Sequence, residues 1–162
     1  MSHLETIHSV LDARGVSWVQ LGAVVGLSPN DFHDVVSHEG QIWHVSVATF
    51  LRLAVAFDLT PAQLLPDNAY LDGHGYTATP PHGGSAGLSY DLAELIVDRQ
   101  AAAEAIAYHP SALDIWLTDD YHLSQMPLTV LNTLCRYLDI SIAEALGSFW
   151  HGIGRSDLDG AA

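Results

Sequence analysis

Asp34 and His38 are four residues apart, one turn of a helix, so their side chains share a face; His33 and Glu39 flank them and His44 follows. Imidazole nitrogens and carboxylate oxygens gathered in this way bind a divalent cation or exchange protons with a substrate. His109, Asp119, Asp120 and His122 form a second grouping of the same types. On this alternative reading His33, Asp34, His38 and His109 are the candidate catalytic residues, with His33, Asp34, His38 or the His109 region lining a pocket for a small molecule between two halves of the chain. Neither spacing matches a zinc signature, and the sequence has no phosphate loop and no nucleophile motif. No metal, no cofactor and no nameable reaction is therefore expected, and His and Asp at this density also occur on ordinary solvated faces.

The 162 residues carry 19 acidic against 5 basic side chains, a net charge of −14. All of the basic residues are arginines, Arg14, Arg52, Arg99, Arg136 and Arg155, and ten histidines add charge only in acid. Ordinary nucleic-acid binding is disfavoured by such a balance. Hydrophobic types make up 49% of the chain, enough for a sizeable core, which separates it from disordered acidic chains. Cys135 is alone and has no disulfide partner within the chain. The N-terminus lacks the basic patch and apolar run of a secretory signal, and the most apolar stretch, Val45 to Phe57, is interrupted by Ser46, Thr49 and Arg52. A cytoplasmic protein without a membrane segment is expected.

These residues must be positioned by helices. Apolar spacing predicts helices near Leu4 to Arg14, Trp18 to Val25, Pro29 to Ser37, Val47 to Phe57 and Pro61 to Leu65, then Asp91 to Asp98, Ala101 to Tyr108, Pro110 to Leu117, Pro127 to Leu138 and Ile142 to Leu146, the last extending towards Trp150. Between the two sets, residues 67–90 gather Gly73, Gly75, Pro80, Pro81, Gly83 and Gly84 and read as a linker. Sliding the second set onto the first by 81 residues, without a gap, aligns Leu11 with Leu92, Pro29 with Pro110, Leu53 with Leu134, Asp58 with Asp139 and Leu65 with Leu146. Helix punctuation repeats with the same offset: Thr60 with Gln63 and Ser141 with Glu144 have the capping-box pattern, and Ser17 with Gln20 adds a further one. Pro29 and Pro110 each suit a first helical position. The expectation is all-α, a duplicated unit of five helices at 1–66 and 91–150, with a tail at 151–162.

Leu11, Arg14-Gly15-Val16-Ser17, Leu21-Gly22, Gly26-Leu27-Ser28, Phe32, Val35, Thr49, Leu51, Leu53-Ala54, Phe57-Asp58-Leu59-Thr60 and Leu64-Leu65 together resemble the helix-turn-helix domain of the lambda repressor, Cro and XRE family. The resemblance implies two tandem lambda-repressor-like units, the second carried mainly by the 81-residue register and with Ala107 in place of the turn glycine Gly26. It also implies DNA-binding transcription regulation, with the start of the third helix facing base edges amid phosphate contacts. Here that helix offers Pro29, Asn30, Asp31, His33, Asp34 and Ser37, and the glutamine common early in the preceding helix is Trp18. Its counterpart offers Ser111, Ala112, Asp114 and Thr118, followed by Asp119 and Asp120. A specific DNA-binding protein neutralises roughly 6 to 10 phosphates, and neither segment contains a Lys or Arg.

The expected role is therefore regulatory or adaptor-like, through an acidic protein-binding surface that includes Trp18, Asn30, Asp31, Asp34, Asp114, Asp119 and Asp120. The matching partner is a protein, such as a basic DNA-binding protein whose groove accepts a DNA mimic. DNA binding through Arg14, Arg52 and Arg99 is the alternative within the family. Trp18 and Trp43 are the tryptophans expected at an exposed contact, whereas Trp116, aligned with Val35, is expected in the core. A homodimer or a tight face between the halves would account for the high mean hydropathy of +0.19.

Overall fold

The computed structural model describes residues 3–14, 22, 25–38, 40–66, 68–71 and 88–153. Among them the chain is mostly helical and forms no strand. The first half holds α1 (His3–Arg14), α2 (Pro29–Ser37), a 3-10 turn (Gln41–His44), α3 (Val47–Phe57) and α4 (Pro61–Leu64). The second holds α5 (Leu88–Leu95), α6 (Arg99–Ile106), α7 (Pro110–Trp116), the single turn α8 (Asp120–Leu123), α9 (Leu128–Leu138) and α10 (Ile142–Ile153). Apart from Gly22 and Val25, the helix expected at Trp18 to Val25 lies outside the described residues, as do the Ser17 cap and Trp18 itself.

Small polar side chains start these helices by taking up amides that have no partner within the helix. Ser28 accepts from the Asp31 amide and Ser46 from the Thr49 amide, each at 3.2 Å. Thr60 and Gln63 form the reciprocal capping box, at 2.8 and 3.3 Å. Asp98 caps α6 through the Ala101 amide at 3.2 Å, so it is an N-cap and not the last residue of the preceding helix. For this reason α6 begins at Arg99, before the expected Ala101, and it ends before Ala107, which turns left-handed. Helix α5 likewise begins at Leu88, inside the Gly/Pro-rich stretch, because the Leu88 side chain is buried in the core.

Several backbone features of the described residues recur at the 81-residue offset. Gly26 and Ala107 are both left-handed (φ 81° and 61°), and each turn is closed by the same bond, Leu27 N–H to Gly22 at 2.8 Å and Tyr108 N–H to Ala103 at 3.1 Å. Ser28 and His109 occupy the following cap, His109 accepting from the Ser111 amide through Nδ1 at 3.1 Å. The 3-10 turn and α8, neither visible in apolar periodicity, also correspond, and they bury the aligned pair Ile42 and Leu123.

One continuous core runs through both halves, from Ile7, Phe32, Phe50 and Phe57 to Leu92, Leu113, Leu131 and Leu146. The halves are joined directly: Val47 N–H donates to Met126 at 2.9 Å and Leu128 N–H to Val45 at 2.8 Å. Tyr70, assigned above to the linker, is held by the second half, donating its amide to Asn132 Oδ1 at 2.8 Å and its hydroxyl to Asp139 at 2.5 Å. Its carbonyl accepts from the Ile142 amide at 3.0 Å, and the Arg136 guanidinium lies 5.7 Å from its ring centroid. Of the two explanations for the high hydropathy, the tight face between halves is present. No described helix is long and apolar enough to cross a membrane.

Candidate functional site

The start of α2 faces the loop from Gln41 to Ser46 and the first turn of α3 across a half-open groove of about 320 Å³. Leu27, Val35 and Val45 form its apolar floor, and Asp31, Asp34, Gln41, His44, Ser46 and Thr49 supply its polar walls. The fold places these groups in a definite way. Ser28 and Pro29 start α2 so that Phe32, Val35 and Val36 point into the core, which turns Asp31 and Asp34 outward. Ser46 caps α3 and hydrogen-bonds the Thr49 hydroxyl at 3.1 Å, fixing the opposite wall.

Asp34 carries the local electrostatics. Its Oδ1 is 3.9 Å from His33 Nδ1 and 3.8 Å from His38 Nδ1, and the two imidazole rings stand edge to face with centroids 6.4 Å apart. All three side chains are more than half exposed. No group of His, Cys, Asp and Glu suited to hold a metal occurs among the described residues. Asn30 and Asp31 lie exposed on the same turn. No Lys or Arg lines the groove.

The second-half candidates have a different character. Asp114 is bound by Arg99 Nη1 at 2.5 Å. Asp119 caps α8, accepting from the His122 amide at 2.8 Å and lying 2.6 Å from His122 Nδ1, and these bonds hold its carboxyl below the ordinary value. Asp120 Oδ1 accepts from the Ser89 amide at 3.0 Å. Each of the three acids expected at a partner surface is thus engaged within the chain. His109 uses Nδ1 to cap α7, and neither it nor His33 or His38 lines this groove. The groove lies inside the first half and takes only Asp34 from that set.

At the positions that correspond to the acidic wall, the second half is apolar: Ala112 stands for Asp31 and Ile115 for Asp34. Ile115 is 57% exposed. Trp116, expected in the core, is half-buried with its ring edge-on to Tyr108 at 5.1 Å, and Tyr121 is 72% exposed beyond it. Trp43, expected at an exposed contact, is 7% exposed and donates from Nε1 to Asn68 at 3.0 Å; a buried indole needs such an acceptor. Gln41, Ser46 and Thr49 were not singled out from sequence. The cap pattern Ser46-x-x-Thr49 announces a helix start there, and only folding sets it across from Asp31.

Comparisons of the chain with protein-family models, with curated proteins and with solved structures found no match.

Proposed function

We propose that this chain is a tandem helix-turn-helix protein of lambda-repressor type whose DNA-contacting face has become a protein-binding groove, and that it acts as a regulatory adaptor. The observation that carries the proposal is the groove at the start of α2, walled by Asp31 and Asp34 and containing no Lys or Arg. In the helix-turn-helix reading α2 is the recognition helix, and a duplex laid against it would set phosphates beside two carboxylates. Repulsion would then replace the counterion release that supports DNA binding. A cationic side chain is attracted to the same place, so a protein partner with exposed Arg or Lys, including a basic DNA-binding protein, matches it.

The groove's volume of about 320 Å³ also favours a second reading, a small cationic ligand held by Asp31 and Asp34. Of the arginines in the DNA-binding alternative, Arg14, Arg52 and Arg99, the last is engaged by Asp114.

Mobility-shift titration of the purified chain with random and selected duplexes at low salt tests the proposal, paired with affinity purification of the wild type and the Asp31→Ala/Asp34→Ala variant. Expected are no shifted duplex and a bound protein lost with the two carboxylates. Sequence-specific duplex binding by the chain alone would overturn it.

A further inference from the structure

The halves meet about an approximate two-fold axis. Val47 N–H donates to Met126, and Leu128 N–H to Val45. Since Val45, Ser46 and Val47 align with Met126, Pro127 and Leu128, the 81-residue exchange converts each bond into the other. Ser46 and Pro127 therefore stand opposite each other on the axis, in an isolated antiparallel bridge. Helix α3 also packs on its counterpart α9 and α4 on its counterpart α10, whereas Ala48 N–H donates to Ser124 at 2.8 Å without an equivalent bond among the described residues. A face on which each element meets its own equivalent is isologous, the arrangement of subunits in a two-fold dimer.

The face is also selective. Tyr70 donates its amide to Asn132 and accepts at its carbonyl from the Ile142 amide. The first-half residues aligned with these partners are Leu51, which has no side-chain acceptor, and Pro61, which has no amide hydrogen. A first half seated on another first half would leave both backbone groups of Tyr70 without these partners, which is costly at a part-buried site. A second half satisfies them.

We infer that this face is a subunit-type docking surface whose partner is the opposite half of a second copy of the chain, so that two chains pair reciprocally through the bonds that close one. The described halves are connected in sequence only through residues 72–87 and share no other covalent link. Because the closed chain and the exchanged pair make the same contacts, concentration decides between them. Pairing within one chain is independent of protein concentration and pairing between chains is not, so exchange grows as the concentration rises.

Full-length Ser46→Cys and Pro127→Cys variants test this. Opposed residues of a non-hydrogen-bonded antiparallel pair have Cα atoms about 4.5 Å apart, which suits a disulfide. The double variant is expected to close within one chain and run as a monomer under non-reducing conditions. The two single variants are mixed, unfolded together, refolded at about 1 mM and then oxidised. A covalent dimer linking position 46 of one chain to position 127 of the other is expected, identified by peptide mass. Its yield should fall at least about tenfold when refolding is done at about 10 μM. Ser46→Cys alone should give no comparable dimer, and buried Cys135 does not compete after refolding. Absence of the mixed dimer at both concentrations, with the double variant closing normally, would overturn the inference. Equal yields of the 46-to-46 dimer would refute the selectivity, and a double variant that fails to close would remove the bridge on which the inference rests.

Discussion

Asp58 and Asp139, 81 positions apart, end α3 and α9 in the same left-handed conformation, with φ of 55° and 57° and ψ of 43° and 45°. The residue after each, Leu59 and Ile140, donates back to Ala54 and Cys135 at 2.9 Å in both cases, the long bond of a Schellman ending. Aspartate tolerates this backbone better than most residues with a Cβ, and glycine better still.

The other aligned pair of left-handed residues is unequal, Gly26 against Ala107. Replacing Ala107 with Gly is expected to stabilise the protein by about 0.5–1 kcal/mol, and Gly26→Ala to destabilise it by about 1 kcal/mol or more. Urea denaturation of both variants checks the opposed signs, and stabilisation by Gly26→Ala would contradict the assigned backbone.

A Cβ built on Gly22 would meet Phe32 Cβ at 3.2 Å, whereas the second half has Ala103 and Leu113 at the aligned positions, both buried. Gly22→Ala should therefore cost about 1–3 kcal/mol through overpacking. Leucine at position 32 keeps the Cβ and Cγ that the added methyl meets, and the Leu27 carbonyl lies 3.3 Å from it, so adding Phe32→Leu should not recover that cost in denaturant titrations.

Asn132→Leu installs the aligned first-half residue and removes the acceptor for the Tyr70 amide. The expected loss is about 1–3 kcal/mol, the cost of leaving a partly buried donor unsatisfied. Tyr70→Phe deletes only the exposed hydroxyl contact with Asp139 and should cost about 1 kcal/mol or less. Equal losses in denaturant titrations would mean that the backbone clasp contributes nothing beyond the side chain.

Stability should depend on pH at both ends of the range. Asp119 has a folded value below its ordinary 3.8, mainly through the His122 amide, so its contribution is complete above that value and fades as pH falls through the lower folded one. Asp119→Ala should flatten the acid limb of a stability profile. Burial pushes the Cys135 thiol from 9.0 up to about 12. Between those values the unfolded chain gives up a proton that the folded chain keeps, so stability should decline across that interval, and Cys135→Ala should remove this decline. Native Cys135 should also resist thiol reagents at pH 8 and react on unfolding.

Much of the local structure was legible because it is determined within a turn or two of chain. Ser28 before Pro29, Thr60 with Gln63, and the apolar spacing of Val47–Phe57 each specify a helix end or a buried face through residues that touch one another, and the 81-residue repeat needs only alignment. The short turns at Gln41–His44 and Asp120–Leu123 escaped because one turn is too brief for periodicity to register.

Partner choice is the part that sequence spacing does not contain. Asp31, Asp114, Asp119 and Asp120 look alike along the chain, yet Arg99, the His122 amide and the Ser89 amide engage the last three while Asp31 faces the groove. Trp43 is buried and Trp116 only partly so, packed against the core, because burial depends on which helix arrives from elsewhere. The sequence by itself determined the mostly helical character of the described residues and an acidic segment without Lys or Arg. Tertiary structure decided which acids remain outward and that the halves meet across Ser46 and Pro127, because hydrogen bonding and burial between distant residues exist only once the chain has brought them together.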